Sequence, residues 1–304
     1  MAISTIYVQM IIMMLLISVG FILAKKEIIN DVGANQITSI ILFVFTPAII
    51  IKAFLIPFSQ TKLIEIALCL FLSAVAIAIS IIIASLTFRS EKKLERFGVI
   101  FSNAGFMGIP LVQGILGNYQ IFYLSIYIVV QNLYAWTYGI KLIDANNRNL
   151  TGFKQLNNPA VISFLIGMFL FVFRIPIPDP MYKTLDLLSS ANTPMAMLLM
   201  GTFLAKIDLL SLLKGKMNYK VSAFRLVVVP IIIMVLLSFL PKSYNDIKYV
   251  ILIVSSTPVG ALLAMFAQLY TKDVRYGTRI VNLSNILCLF TIPIILMIAA
   301  TFWK

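Results

Sequence analysis

Apolar residues stand in long blocks along this chain, and charged residues come in short clusters between them. The first block, Ala2 to Ala24, carries no charge and is closed by Lys25, Lys26 and Glu27. A helix of about 20 residues crosses a hydrocarbon core about 30 Å thick, so a block of this length predicts a membrane-spanning helix. It has no basic n-region and is longer than the apolar part of a signal peptide. Further blocks predict helix 2 (Val32 to Ile51), helix 3 (Ile66 to Phe88), helix 6 (Gln155 to Phe173), helix 7 (Leu187 to Ala205), helix 8 (Ser222 to Leu240), helix 9 (Tyr249 to Thr271) and helix 10 (Ile280 to Trp303). The uncharged run Phe97 to Ile140 is too long for one crossing, and Gly117-Asn118 supplies the turn that splits it into helices 4 and 5. The segment Arg89 to Arg96 reads as a charged loop.

Two stretches depart from a continuous apolar helix. Ser102-Asn103-Ala104-Gly105-Phe106-Met107-Gly108-Ile109-Pro110 places two glycines and a proline inside helix 4. Proline removes an N–H and clashes with the carbonyl four residues back, and each glycine weakens a helix by about 1 kcal/mol relative to alanine. Ser255-Ser256-Thr257-Pro258-Val259-Gly260 has the same makeup in helix 9. Interrupted backbone at membrane depth is tolerated only where protein or a wet cavity satisfies the freed groups, so each break implies a polar site.

Composition and charge narrow the class. With 61% hydrophobic and 12% charged residues and a mean hydropathy of +1.01, the chain is an integral membrane protein. The net charge of +13 lies in loops between apolar runs, where it reports orientation and not nucleic-acid binding. About 17 of the 24 basic residues fall on one side of a ten-span layout, among them Lys25, Arg89, Lys141, Lys214 and Arg225, which places both termini outside the cytoplasm. Cys69 and Cys288 both lie in apolar spans, against a disulfide framework or a cysteine metal cluster. Histidine is absent, which excludes a histidine-ligated zinc site and a Ser-His-Asp triad. An enzyme is not expected, nor any metal or organic cofactor, although coupling to H⁺ or Na⁺ stays open.

The layout also contains a repeat. Residues 1–140 hold helices 1 to 5, 141–154 form a polar cytoplasmic linker, and 155–304 hold helices 6 to 10. Five spans per half is an odd number, so the halves would be inverted across the membrane. Thr46-Pro47 in helix 2 answers Thr193-Pro194 in helix 7, and the break in helix 4 answers that in helix 9. Gln131 and Asn132 in helix 5 match Asn282 and Asn285 in helix 10 more loosely. Matched Gly/Pro interruptions in two inverted halves point to a binding site at the repeat interface.

At these residues the chain resembles the auxin efflux carrier family of membrane transporters, including its bacterial members. The resemblance rests on Ser102 to Leu111, on Thr193-Pro194 running through Gly201-Thr202 to Ala205, and on Thr257-Pro258 continuing through Gln268 to Ser284 and Thr291-Ile292-Pro293. It implies an all-α membrane fold of ten transmembrane helices in two inverted five-helix repeats, with helices 4 and 9 broken and crossing near mid-membrane. It further implies a scaffold of helices 1, 2, 6 and 7 that forms a homodimer, and a mobile domain of helices 3 to 5 and 8 to 10. The implied partners are the lipid bilayer and a small organic anion, a mono- or dicarboxylate such as malate or malonate, with no nucleic acid. The linker is short, as in a bacterial-type member and unlike many plant members. A receptor that keeps the fold and binds without translocating is the competing reading.

The residues expected at the substrate are Ser102, Asn103, Gly105, Pro110, Ser256, Thr257, Pro258 and Gly260, beside the N-termini of half-helices whose N–H groups and dipoles suit a carboxylate. Back-bonding to the preceding turn is the ordinary role of such hydroxyls. Secondary cleft or coupling positions are Pro47, Pro194, Gln131, Asn132, Asn282, Asn285, Lys52 and Glu65. Lys52, Glu65, Arg174 and Asp186 sit near span ends, where snorkelling to the interface is the ordinary explanation.

Overall fold

In the computed structural model the described residues are 3–143, 158–205, 215–270 and 274–303, so most of the expected linker 141–154 lies outside them. The described chain is helical: α1 (Ile3–Lys25), α2 (Asp31–Ala53), α3 (Gln60–Thr87), α4 (Lys93–Ile100), α5 (Ala104–Ile115), α6 (121–143), α7 (Pro159–Val172), α8 (Asp179–Ala205), α9 (Lys216–Leu237), α10 (Asn245–Ser256), α11 (Leu262–Tyr270) and α12 (Val274–Phe302). Six of these, α1, α2, α3, α8, α9 and α12, are long and apolar enough to cross a bilayer, and α5 and α7 are shorter apolar helices.

Several helices begin earlier than their apolar runs. Helix α3 starts at Gln60 and not Ile66, because Ser59 accepts the Lys62 N–H at 3.2 Å and caps a first turn that holds Lys62 and Glu65. Helix α8 starts at Asp179 and not Leu187, with Asp179 favoured at the positive helix end and paired to Lys183 at 2.6 Å. Likewise α4 takes in Lys93 to Arg96, which the charge pattern assigns to a loop, and buries Glu95 to 4% exposure against the Tyr276 hydroxyl at 2.8 Å. Helix α9 starts at Lys216 instead of Ser222, taking in Lys216 and Lys220 of the expected basic loop, and Arg225 lies well inside it. In each case charged residues that end an apolar run continue the helix beyond it.

Prolines 47, 110 and 230 do not interrupt their helices. Each follows a five-residue wide turn, Ile41–Phe45, Ala104–Gly108 and Phe224–Val228 respectively. The wider i→i+5 ladder absorbs the carbonyl that the proline ring would otherwise strike and the hydrogen bond that it cannot donate. Pro194 and Pro293 likewise lie inside α8 and α12.

Helices α1, α2, α7 and α8 pack in sequence: α1 on α8, α8 on α2, and α2 on α7. The α1–α8 contact is a backbone contact. A Cβ built on Gly20 would lie 2.0 Å from the Leu198 oxygen, and one on Gly201 would lie 2.1 Å from the Ile17 oxygen. Small residues permit such approach where apolar burial alone does not drive helix association. On the other side, α3 packs on α6, α9 on α10 and α12, and α4 on α9 and α12. The α1 face bearing Val8, Ile11, Ile12, Leu15 and Ile22 is exposed, as suits lipid contact. An open apolar groove of about 400 Å³ between α1, α8 and α12, lined by Met14, Ile17, Phe21, Leu204 and Leu289, includes no residue of the crossing described below.

Candidate functional site

Helix α4 ends at Ile100, and Phe101 turns extended with φ −102° and ψ 117°. The chain then runs without helix through Ser102 and Asn103 before α5 begins. Helix α10 ends at Ser256, where Thr257 adopts φ −67° and ψ 154°. Thr257 precedes Pro258, whose ring excludes the helical conformation from the residue before it. The break in the first stretch therefore falls at 101–103, upstream of Gly105 and Pro110; that in the second follows its proline motif directly.

The two unwound strips lie antiparallel, with Ser102 opposite Val259. The Asn103 N–H donates to the Pro258 carbonyl at 2.8 Å, and the Gly260 N–H donates to the Phe101 carbonyl at 2.9 Å. Backbone groups freed by breaking two helices thus satisfy each other, as burial in an apolar protein requires. Pro258 costs nothing here, since it needs only to accept. Gly260 is dictated by the approach: a Cβ there would stand 2.8 Å from the Ser102 oxygen and 3.2 Å from the Ser102 carbonyl carbon.

Side chains from neighbouring helices complete the crossing. The Gln131 amide on α6 clamps Ser102: Oε1 accepts from the Ser102 N–H at 3.2 Å and hydroxyl at 2.6 Å, while Nε2 donates to the Ser102 carbonyl at 2.9 Å. On the opposite strip the Ser284 hydroxyl, from α12, accepts the Val259 N–H at 3.1 Å. Arg225 enters from α9, fully buried. Its Nε donates to the Thr257 carbonyl at 3.1 Å, Nη1 to Val99 and Ile100 at 3.1 and 3.4 Å, and Nη2 to Val254 and Ser255 at 3.5 and 2.7 Å. It meets the carbonyl ends of both α4 and α10, where unpaired carbonyls and the negative dipole end gather.

The N-terminal ends of α5 and α11 leave the same crossing. In α5 the Met107 and Gly108 N–H groups both reach the Asn103 carbonyl, at 3.2 and 3.1 Å, and the N–H groups before them have no preceding turn to bond. Nothing lies within 4 Å of where a Gly105 Cβ would be, so open space adjoins this helix start. The Asn103 side chain is 3% exposed, its Nδ2 4.0 Å from the Met200 sulfur of α8. Charge at the crossing is positive on balance: two helix N-termini offset two helix C-termini, one guanidinium is added, and among the described residues there is no ion pair to Arg225.

Other expected positions resolve as follows. The Ser256 and Thr257 hydroxyls donate back to Leu252 and Val254 carbonyls at 2.8 and 2.7 Å. Asn285 is buried with Oδ1 lacking a protein partner, and the buried Ser255 hydroxyl beside Arg225 is in the same condition. Asn282 is half-buried on α12. Asn132 turns away from its neighbour Gln131, bonding the Ile128 carbonyl at 2.9 Å and the Asn158 amide at 3.2 Å. The residues before the matched prolines bind across helices: Thr46, next to Pro47, donates to Asn192 at 3.3 Å, and Thr193, next to Pro194, donates to Gln113 of α5 at 2.7 Å. Lys52 is ion-paired to Asp186, tying α2 to α8, and Glu65 takes both Lys62 and the Tyr123 hydroxyl. The Arg174 guanidinium stacks 4.4 Å from the Phe58 ring.

A family model described as membrane transport protein matches the chain over residues 5–152 and 148–296. The chain belongs to this family. A comparison with curated proteins finds no match. As a member of the membrane transport protein family, which takes in the auxin efflux carriers, the chain is a multi-pass membrane protein of transmembrane transport. The two matched stretches meet at the segment between α6 and α7 and together contain both strips of the crossing.

A tally of basic residues by side counts Arg225 with the loop cations, although it stands inside the span expected from Ser222 to Leu240. Its signal was present: one arginine stands within the otherwise uncharged run Val221 to Leu240. An intramembrane ionisable residue marks function or a dedicated partner by default.

Proposed function

We propose that this protein is a secondary carrier of a small organic anion, a mono- or dicarboxylate such as malate or malonate. It would work by elevator-like alternating access in a plasma membrane, with ten spans in two inverted five-helix repeats and both termini extracytoplasmic. The observation that carries this reading is the hydrogen-bonded crossing of Phe101–Asn103 with Pro258–Gly260, from which α5 and α11 depart with their positive ends inward. Carboxylates suit half-helix N-termini, and discontinuous helices at a repeat interface are where carriers bind substrate. Asn103 offers an amide at the start of α5, and the space beside Gly105 gives a ligand room.

The packing of α1, α2, α7 and α8 supports their role as the fixed scaffold, which we assign as the homodimerising part, with the crossing carried by the remaining helices. The substrate is bound without metal or organic cofactor. Alternating access follows from sliding one group past the other, since the crossing is internally bonded and can travel as a unit.

The test is counterflow of labelled carboxylates in proteoliposomes. Asn103→Ala is expected to abolish exchange while the protein keeps its elution profile and melting temperature; full exchange by that variant refutes the proposed site. Saturable binding without any passage by the unaltered protein would instead establish a receptor.

A further inference from the structure

We propose that Arg225 is a resident cation, occupying the place between the carbonyl ends of the two broken helices that a coupling metal ion takes in carriers of inverted-repeat construction. In such carriers, unwound backbone carbonyls and half-helix C-terminal ends coordinate Na⁺. Here the corresponding groups are engaged. Five carbonyls, from Val99, Ile100, Val254, Ser255 and Thr257, receive donors from all three guanidinium nitrogens. They come from the ends of both α4 and α10, so one side chain neutralises two negative dipole ends at once.

The choice of arginine follows from the geometry. A planar guanidinium offers five N–H donors in a fixed fork and holds its charge when buried, whereas an ammonium has three donors on a compact head. The group is fully buried and, among the described residues, its charge is met by carbonyls and by the Tyr127 hydroxyl and not by a carboxylate. Gly98, two residues before the α4 end, keeps α9 close: a Cβ there would approach Val221 to 3.1 Å. A metal ion entering this place would have to displace a tethered cation and bear its repulsion. The site therefore keeps its positive charge whether or not Na⁺ or K⁺ is present, and anion binding draws on that permanent charge.

This inference deepens the carrier reading and rests on it only where transport is measured. The test uses the full-length protein in two arms. In detergent, thermal unfolding is followed in NaCl, KCl and choline chloride at equal ionic strength, a readout that needs no substrate. The unaltered protein is expected to melt alike in all three. Arg225→Ala is expected to melt lower in choline and to recover partly in NaCl or KCl, because an alkali ion can now occupy the vacated carbonyls. An ion bound with a dissociation constant about a tenth of its concentration shifts the folded-to-unfolded ratio about tenfold. In proteoliposomes, counterflow by the unaltered protein is expected to be equal in the three salts. A Na⁺ or K⁺ requirement in the unaltered protein overturns the proposal, and so does a folded Arg225→Ala protein that responds identically to all three salts. Should Arg225→Ala fail to fold, Arg225→Lys decides: it keeps the charge and is expected to stay independent of both ions, and a newly acquired ion requirement overturns the proposal. Absence of carboxylate exchange by the unaltered protein, with the cation arm as expected, sinks the carrier reading and leaves the role of Arg225 standing.

Discussion

Gly260→Ala tests the closeness of the crossing. The new methyl would lie 2.8 Å from the Ser102 oxygen, 3.2 Å from the Ser102 carbonyl carbon and 3.3 Å from the Phe101 oxygen. All three are backbone atoms, so no side-chain rotation relieves the contact. Restoring ordinary van der Waals separation requires the strips to part by about half an ångström, which strains the Gly260–Phe101 and Asn103–Pro258 hydrogen bonds at 2.9 and 2.8 Å. Overpacking costs about 1 to 3 kcal/mol and a weakened buried hydrogen bond about 1 kcal/mol more, giving about 2 to 4 kcal/mol. At about 2 °C per kcal/mol for a chain of this size, the melting temperature falls by about 4 to 8 °C. Gly105→Ala is the matched control. Nothing lies within 4 Å of its added methyl, and alanine is the better helix former, so its melting temperature is unchanged or slightly raised. Tryptophan fluorescence during heating in detergent measures both. A Gly260→Ala protein that melts within a degree of the unaltered one refutes the reasoning, because strips that tolerate a methyl between them are not bonded as described.

Two further substitutions probe the surroundings of the crossing. Gln131→Leu keeps the volume of the side chain but removes all three bonds to Ser102, leaving a buried N–H and carbonyl without partners; a loss of about 2 to 5 kcal/mol is expected, read as a lowered melting temperature and faster amide exchange at Ser102. Gly201→Ala places a methyl 2.1 Å from the Ile17 oxygen on α1, so α1 and α8 must separate, with a cost of about 3 kcal/mol or more and a gain in protease sensitivity; unaltered stability would show that the two helices are not in backbone contact.

What the sequence by itself determined is the class and the place of the second break. Blocks of uncharged apolar residues leave a chain no stable home but a bilayer, and Thr257-Pro258 excludes helix at residue 257 by local sterics alone. Local sterics misled at Pro110: three of the chain's prolines are absorbed by a wide turn placed just before them, and the first break falls at residues 101–103, where no proline or glycine stands. That strip unwinds because it has a partner to bond, and a partner more than 150 residues away is invisible to a local rule. The same holds for Ser284 and Gln131, which matter through the backbone groups that they meet. Arg225 shows the limit most clearly. In a list of charges it is one more cation near a loop; only folding brings it against five carbonyls from two separate helices, and it is that convergence of dipole ends that makes a buried charge stable.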